Sequence, residues 1–290
     1  MTAQPAADLG ARIGELTGTS VSGLRLVGSQ HRWDHYRVQL ADGRIAFAKA
    51  ARDDLAGLFE AEARGLAWLA QAGAVPLPEV LGWDAATLVV SWLPADSADP
   101  ESAERFGARL AALHKAGAPS FGAPWQGFIA SLPLPNEPAG AWPAWYASQR
   151  LLPYLRRAAD AGTLTSADVR LIETVMSRID SLAGPAEPAS RIHGDCWSGN
   201  VLWSGGQGWL IDPAAHGGHR ETDLAMLALF GAPYLDRIMA GYAGRAPLAN
   251  GWQARVPLHQ LHPLLVHVCL FGASYTESAL SAARSALAAG

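Results

Sequence analysis

Residues 191–223 constrain this chain more than any other stretch. Two apolar triplets, Val201-Leu202-Trp203 and Trp209-Leu210-Ile211, flank the glycine-rich connection SGGQG. That pattern predicts an antiparallel hairpin, because short apolar runs pair and the glycines supply the turn. A pairing symmetric about Gly206 sets Val201 against Ile211 and Asn200 against Asp212. Directly opposed residues in such a ladder stand about 4.5–5.5 Å apart, which brings an amide oxygen and a carboxylate side by side. Hard divalent cations such as magnesium take oxygen ligands of that kind. Asp195 lies in the turn that leads into the hairpin, with His193 just before it.

The order His-x-Asp-x4-Asn, followed by an Asp at the end of a strand, matches the catalytic layout of kinases. There the first Asp orients and deprotonates a hydroxyl acceptor, while the Asn and the second Asp hold magnesium. On this reading Asp195 is the base, Asn200 and Asp212 are metal ligands, and His193 braces the loop. Two blander explanations compete. One is a polar loop packed on an ordinary hairpin, which the spacing disfavours. The other is a zinc site of His193, His216 and His219, which lacks an H-E-x-x-H helix to support it.

The first part of the chain supplies what a kinase layout needs. A helix is expected over 6–16, then strands around a loop within 23–40, where Tyr36, Val38 and Leu40 alternate with polar residues. Asp42-Gly43 signals a turn, and the next strand, IAFAKA, ends near Lys49. Only Lys49 and Lys115 among the 22 basic residues are lysines, so each invites a reason. An unpaired ammonium at the end of an apolar strand is costly; Glu62, ahead of Glu60, is its expected partner on a helix over 54–72. In kinases such a pair contacts the nucleotide phosphates. Strands follow at EVLGWD and TLVVSWL, and the backbone of Ser91, Trp92 and Leu93 is where an adenine is expected. The polar, Pro-bearing stretch 94–100 reads as a hinge.

Beyond it the pattern turns helical: 101–117, about 143–160, 165–183, 221–244 and 257–288, with loop over 117–143. His114 is expected to pack on a helix face, and Trp142, Trp145, Trp209 and Trp252 to serve the core. The expected class is α+β, with a strand-rich lobe over 1–93 that binds nucleotide and a helical catalytic and acceptor-binding lobe over 94–290. Half the residues are hydrophobic and 17% are charged, with a formal net charge of -4; this is a globular composition, and no basic block marks a nucleic-acid surface. Two cysteines without a CxxC exclude a disulfide scaffold. No secretory leader is read at MTAQPAADLG, and no stretch of about 18 apolar residues is read as a membrane helix. A cytoplasmic monomer or homodimer is expected.

At this point the sequence resembles the fructosamine (ketosamine) 3-kinases, within the wider aminoglycoside-phosphotransferase and protein-kinase-like fold. The resemblance rests on HGDCWSGN at 193–200, on Asp212-Pro213-Ala214 with GHRETDLAM at 218–226, and on GFIASLP, WYASQRLLP and VPLHQLHPLLVHVCLFGASY. It covers nearly the whole chain. It implies a two-lobed fold and ATP- and magnesium-dependent phosphorylation of a sugar hydroxyl. The implied acceptor is O3 of a ketosamine (fructosamine or ribulosamine) on an amine or a protein lysine. It further implies that Asp223 braces the catalytic loop and that Trp197 and His267 line the sugar site. The loop VGSQHRWDHY departs from many kinases in having one glycine, and it lacks the cysteine some family members carry there.

Other readings are a kinase for a different alcohol (aminoglycoside, choline, homoserine or methylthioribose type), a nucleotide-binding pseudokinase, and a metal-dependent hydrolase. An acidic acceptor lining would favour a polycation, and 117–146 shows none. Retention of Lys49, Asp195, Asn200 and Asp212 argues against a pseudokinase. The hydrolase predicts a tightly bound transition metal rather than exchangeable magnesium.

Overall fold

The computed structural model describes residues 6–30, 32–53 and 55–290; the segment read for a leader lies partly outside them. Helix α1 (Ala6–Thr17) buries Leu9 and Ile13 against a sheet of β1 (Val21–Gln30), β2 (Trp33–Leu40), β3 (Ile45–Ala51), β4 (Val80–Trp83) and β5 (Thr87–Ser91). The strand order is β1-β2-β3-β5-β4 and every neighbouring pair is antiparallel. The period-2 pattern of β2 is realised: Val38 and Leu40 are buried, the intervening residues partly exposed. Helix α2 (Leu58–Ala70) connects β3 to β4 and buries Phe59, Leu66 and Leu69. It begins later than expected because Gly57 holds a left-handed φ of 83° just ahead of it.

The hinge stretch ends in a cap. The Asp99 carboxylate accepts from the Glu101 and Ser102 N–H groups, and Pro100 opens α3 (Pro100–Lys115). The helical part continues with α4 (Trp142–Trp145), a π-helical stretch over Tyr146–Leu151, α5 (Leu152–Asp160), α6 (Ser166–Ser177), α7 (Ile179–Leu182), α8 (Arg220–Leu229), α9 (Leu235–Arg245), α10 (Trp252–Phe271) and α11 (Thr276–Ala289). Short strands punctuate it: β6 (Gly127–Ile129), β7 (Leu132–Leu134), β8 (Ser190–Ile192), β9 (Val201–Ser204), β10 (Gln207–Leu210) and β11 (His216–Gly218). Phe106, Leu110, Leu224, Leu227, Ile238 and Tyr242 form the core under the β9–β10 hairpin. Trp142 and Trp145 are buried, whereas Trp209 and Trp252 are only half-buried.

Four expectations are corrected. Residues 117–143 are not all loop, since β6 and β7 pair within them and Phe128 packs on the Leu55 and Leu58 cluster; strands this short carry too little periodicity to be read. Residues 221–244 are two helices, broken where Gly231 (φ 72°) and Tyr234 (φ 53°) adopt left-handed conformations. Residues 257–288 are likewise α10 and α11, divided at Gly272 (φ 71°) by a 3-10 turn. Finally, Trp252–Ala289 contains a window with mean hydropathy 1.2, apolar enough by length and composition to cross a membrane. That run packs inside the protein instead: α10 lies against α5, α8 and α11 and buries Arg255, His259 and His262. Ionisable groups and partners of this kind mark a core helix.

Candidate active site

The β9–β10 hairpin forms as read, but its register is one residue tighter. Val201 faces Leu210, Ser204 faces Gln207, and the Ile211 N–H donates to the Asn200 carbonyl at 3.0 Å. The turn is Gly205-Gly206, both at positive φ (57° and 68°), the two-residue geometry that matches strand twist. Asn200 therefore opposes Ile211, not Asp212 as expected. Asp212 sits one residue farther on, in a left-handed conformation of φ 54°. A non-glycine residue held there costs on the order of 1–3 kcal/mol, so the surrounding contacts must over-determine it.

One of those contacts is Lys49. Its ammonium lies 2.8 Å from the Asp212 carboxylate and 2.7 Å from that of Glu62 on α2. Glu60 instead pairs with Arg64 one turn along the helix. Burial pulls the Lys49 pKa down, but the two carboxylates outweigh it and raise it overall, so the ammonium stays charged. Burial, helped by Asp212 and opposed by Lys49, pushes Glu62 up to about 7. The triad ties α2, β3 and the segment following β10 into one electrostatic unit.

Asp195 faces this unit from the catalytic-type loop. The Asn200 amide nitrogen donates to the Asp195 carboxylate and to its carbonyl, both at 2.9 Å. This leaves the Asn200 amide oxygen outside any described hydrogen bond. Asp195 is lifted to about 7, chiefly by burial, with Asp212 and Asp223 adding to it and Asn200 opposing it. Asp195, Asn200 and Asp212 line one cleft, and an amide oxygen with carboxylates is the kind of donor set a hard cation takes.

The loop itself is held from behind. Asp223 on α8 accepts from the His193 and Gly194 N–H groups at 2.8 and 2.9 Å. Burial raises this carboxyl, but His114 and the loop donors more than offset it and hold it below the usual range. His193 is neutral, its pKa lowered by burial; its Nε2–H donates to the Ile211 carbonyl and its Nδ1 accepts from the Asp195 N–H. Gly194, at φ 81°, cannot be replaced by a larger residue: a Cβ there would sit 2.3 Å from the Ala214 carbonyl. His114 does more than pack on a helix face. Its Nε2 meets Asp223 at 3.0 Å and its Nδ1 meets the Tyr242 hydroxyl at 2.8 Å. Nothing in its local spacing points to a residue so far along the chain.

Two cavities open on either side. An apolar slot of about 260 Å³ is walled by Phe47, Leu88, Val90, Leu202 and Ile211 and edged by Ser91, Trp92 and Leu93. The Ser91 N–H donates to the Glu79 carbonyl and the Trp92 N–H to the Ile45 carbonyl, whereas the Leu93 N–H has no partner among the described residues. A larger cleft of about 620 Å³ runs from Lys49, Asp195 and Asp212 past Trp197 to His267. Trp197 lies over Gly199, more than a third exposed. His267 is neutral, lowered by burial, and its Nδ1 pairs with the Pro263 carbonyl at 2.7 Å.

His193, His216 and His219 do not converge. Among the described residues His219 groups with Glu221 and His259, and Arg255 forks onto both Glu221 oxygens at 2.9 and 2.5 Å. Although burial opposes it, pairing with His259 and Arg255 lowers Glu221 to about 2. Both Glu221 oxygens are engaged by the guanidinium, so this is a structural ion pair joining α8 to α10.

A sequence profile of the fructosamine kinase family matches residues 15–289. A solved structure from Thermobifida fusca, assigned as a fructosamine-3-kinase, is 58% identical with a TM-score of 0.94, covering 97% of this chain and 98% of that one. A probable ketoamine kinase of Klebsiella aerogenes is 33% identical over 250 residues, 84% of this chain and 86% of its own length. The choline kinase of Streptococcus pneumoniae, 16% identical over 98% of this chain and 99% of its own, shares the fold with a TM-score of 0.67. Sequence, fold and site agree: this chain is a phosphotransferase and belongs to the fructosamine kinase family.

Proposed function

We propose that this protein transfers the γ-phosphoryl group of ATP to a sugar hydroxyl, O3 of a ketosamine borne on an amine or a protein lysine. The observation that carries the reading is the convergence at one point of Lys49, Glu62, Asp212, Asp195 and Asn200, with an adenine-sized slot on one side and an acceptor-sized cleft on the other. Adenine stacks between Phe47, Val90 and Leu202 and takes the Leu93 N–H. Lys49, oriented by Glu62, stabilises charge on the phosphates.

Asn200 and Asp212 are the residues that would hold magnesium, and their free oxygens fit it. When bound, the ion neutralises charge on the β- and γ-phosphates. Asp195, near neutrality in its pKa, orients the acceptor hydroxyl for in-line attack and takes its proton. Trp197 and His267 receive the sugar, the ring face covering apolar carbons and the His267 Nε2 accepting from a hydroxyl. Asp223 and His114 act at one remove, holding the loop that carries Asp195.

The test is ADP release with magnesium-ATP and fructosyl-lysine, beside ribulosyl-lysine, aminoglycosides and simple alcohols. Turnover on ketosamines, lost in Asp195→Asn with nucleotide binding retained, is the expected result. Turnover confined to an aminoglycoside or another alcohol would replace the ketosamine reading.

A further inference from the structure

Among the described residues, the buried Lys and Arg side chains are Lys49, Arg150 and Arg255. Lys49 is met by Glu62 and Asp212, and Arg255 by Glu221. Arg150, within the WYASQRLLP stretch, is only 1% exposed, yet its partners are neutral. Its terminal nitrogens donate to the Pro135 and Gln149 carbonyls and, at 2.7 Å, to the Asn136 amide oxygen. Its guanidinium carbon lies 4.2 Å from the centre of the Trp145 ring. These contacts satisfy hydrogens and leave the charge unanswered. Burial draws the Arg150 pKa down to about 9, so the group is still a cation at neutral pH. A buried charge without a counter-charge is costly, and the Arg150 Nε has no hydrogen-bond partner among the described residues.

A second group beside it is orphaned too. His262 on α10 is buried, and its Nε2 is likewise without a partner. Arg150 and His262 line one cavity of about 10 Å³, room for a single small occupant. Trp145, Ile192, His216 and Gly194 of the catalytic loop also border it. Burial first and Arg150 second hold both His216 and His262 well below their ordinary pKa. Both rings are therefore neutral, and Arg150 is the cation of the cluster.

We propose that this cavity is an anion site that binds one chloride ion between the Arg150 Nε–H and the Nε2–H of His262. The ion supplies the charge that Arg150 lacks and accepts from both orphan donors at once. The volume selects a monatomic anion, because phosphate, sulfate and carboxylate are too large for it. Water is the competing occupant. It can accept from the same two donors and donate to the His216 Nε2, whose ring spends its Nδ1–H on the Ala214 carbonyl, but it leaves the guanidinium charge uncompensated. Because Gly194 borders the cavity, the ion packs the back of the loop that carries Asp195. The phosphoryl transfer proposed above does not use this cluster, so the two proposals fail independently.

The experiment melts the protein at constant ionic strength while sodium gluconate is replaced by sodium chloride. Gluconate is too large for the cavity. Tm is expected to rise saturably, by about 2–3 °C once chloride exceeds its Kd about tenfold. His262→Leu, which keeps the guanidinium and removes one donor, is expected to raise the chloride concentration for half the effect about tenfold. Arg150→Met is expected to abolish the response. The wild-type protein supplies a test that needs no variant: crystals grown in chloride, measured at long wavelength, should show an anomalous chlorine peak between Arg150 and His262. A wild-type Tm that does not respond to chloride, or a response that survives in Arg150→Met, overturns the inference. So does a cavity occupied by a water without anomalous signal.

Discussion

Replacing Asp195 by Asn should stabilise the free protein at alkaline pH while removing its turnover. The carboxyl ionises near 3.8 in the unfolded chain and is lifted to about 7 in the folded one. The folded state therefore binds more protons across that interval, and stability falls as pH rises from about 4 to about 7. Below about 4 both states are protonated and the penalty disappears. At about 1.36 kcal/mol per unit, full withdrawal from water would make the cost about 4 kcal/mol at pH 8. Asp195 is only partly buried, and residual solvent screening reduces the figure to about 2 kcal/mol. Asn has the same shape, and its amide oxygen can still accept from the Asn200 amide. A chain of this size gains roughly 1.5–2 °C in Tm per kcal/mol, so the variant should melt about 3–4 °C higher at pH 8 in chelator without nucleotide. The gap should close towards pH 4. A variant equally or less stable at pH 8, or a gap that widens on acidification, would refute the assignment of a partly desolvated, unfavourable charge to this position. Such a trade of stability for chemistry is what a working carboxylate predicts.

Lys49→Met should destabilise the protein by about 3 kcal/mol at pH 8, because it leaves Glu62 and Asp212 facing one another without their cation. Urea denaturation should show the loss shrinking as the pH falls below about 7 and the raised Glu62 protonates, and KM for ATP should rise. Asp223→Ala removes the acceptor for two loop N–H groups and for His114; it should cost about 3 kcal/mol by thermal melting and lower kcat more than it raises KM for ATP. Gly194→Ala should fold poorly or lose activity, since its Cβ would collide with the Ala214 carbonyl; wild-type kcat at unchanged Tm would contradict the close packing of the two loops.

What was legible in the sequence was local. The hairpin 201–210, the alternation of β2 and the helical periodicities each depend on neighbours within a few residues. The pairing of Lys49 with Glu62 was readable too, because an ammonium on an apolar strand requires a partner and the next helix offers two candidates. Even locally, one detail went astray. A five-residue connection admits more than one register, and only the strand twist, with its demand for two left-handed glycines, chose Gly205-Gly206 over a turn centred on Gly206.

What the tertiary structure decided was long-range or marginal in local signal. The three-residue strands β6 and β7 exist because Phe128 packs under α2. The breaks inside 221–244 and 257–288 use glycines that a continuous helix would also tolerate. His114 became a support of the His193–Asp195 loop because α3 packs along α9, which brings it to Tyr242 and within reach of Asp223. The ring contacts from Trp197 through Phe230 to His267 join three separate stretches of chain. The sequence by itself determined which side chains were available and which backbone segments could present them. Only packing decided which of them share one cleft, because contacts between distant segments depend on how helices and sheet pack and not on spacing along the chain.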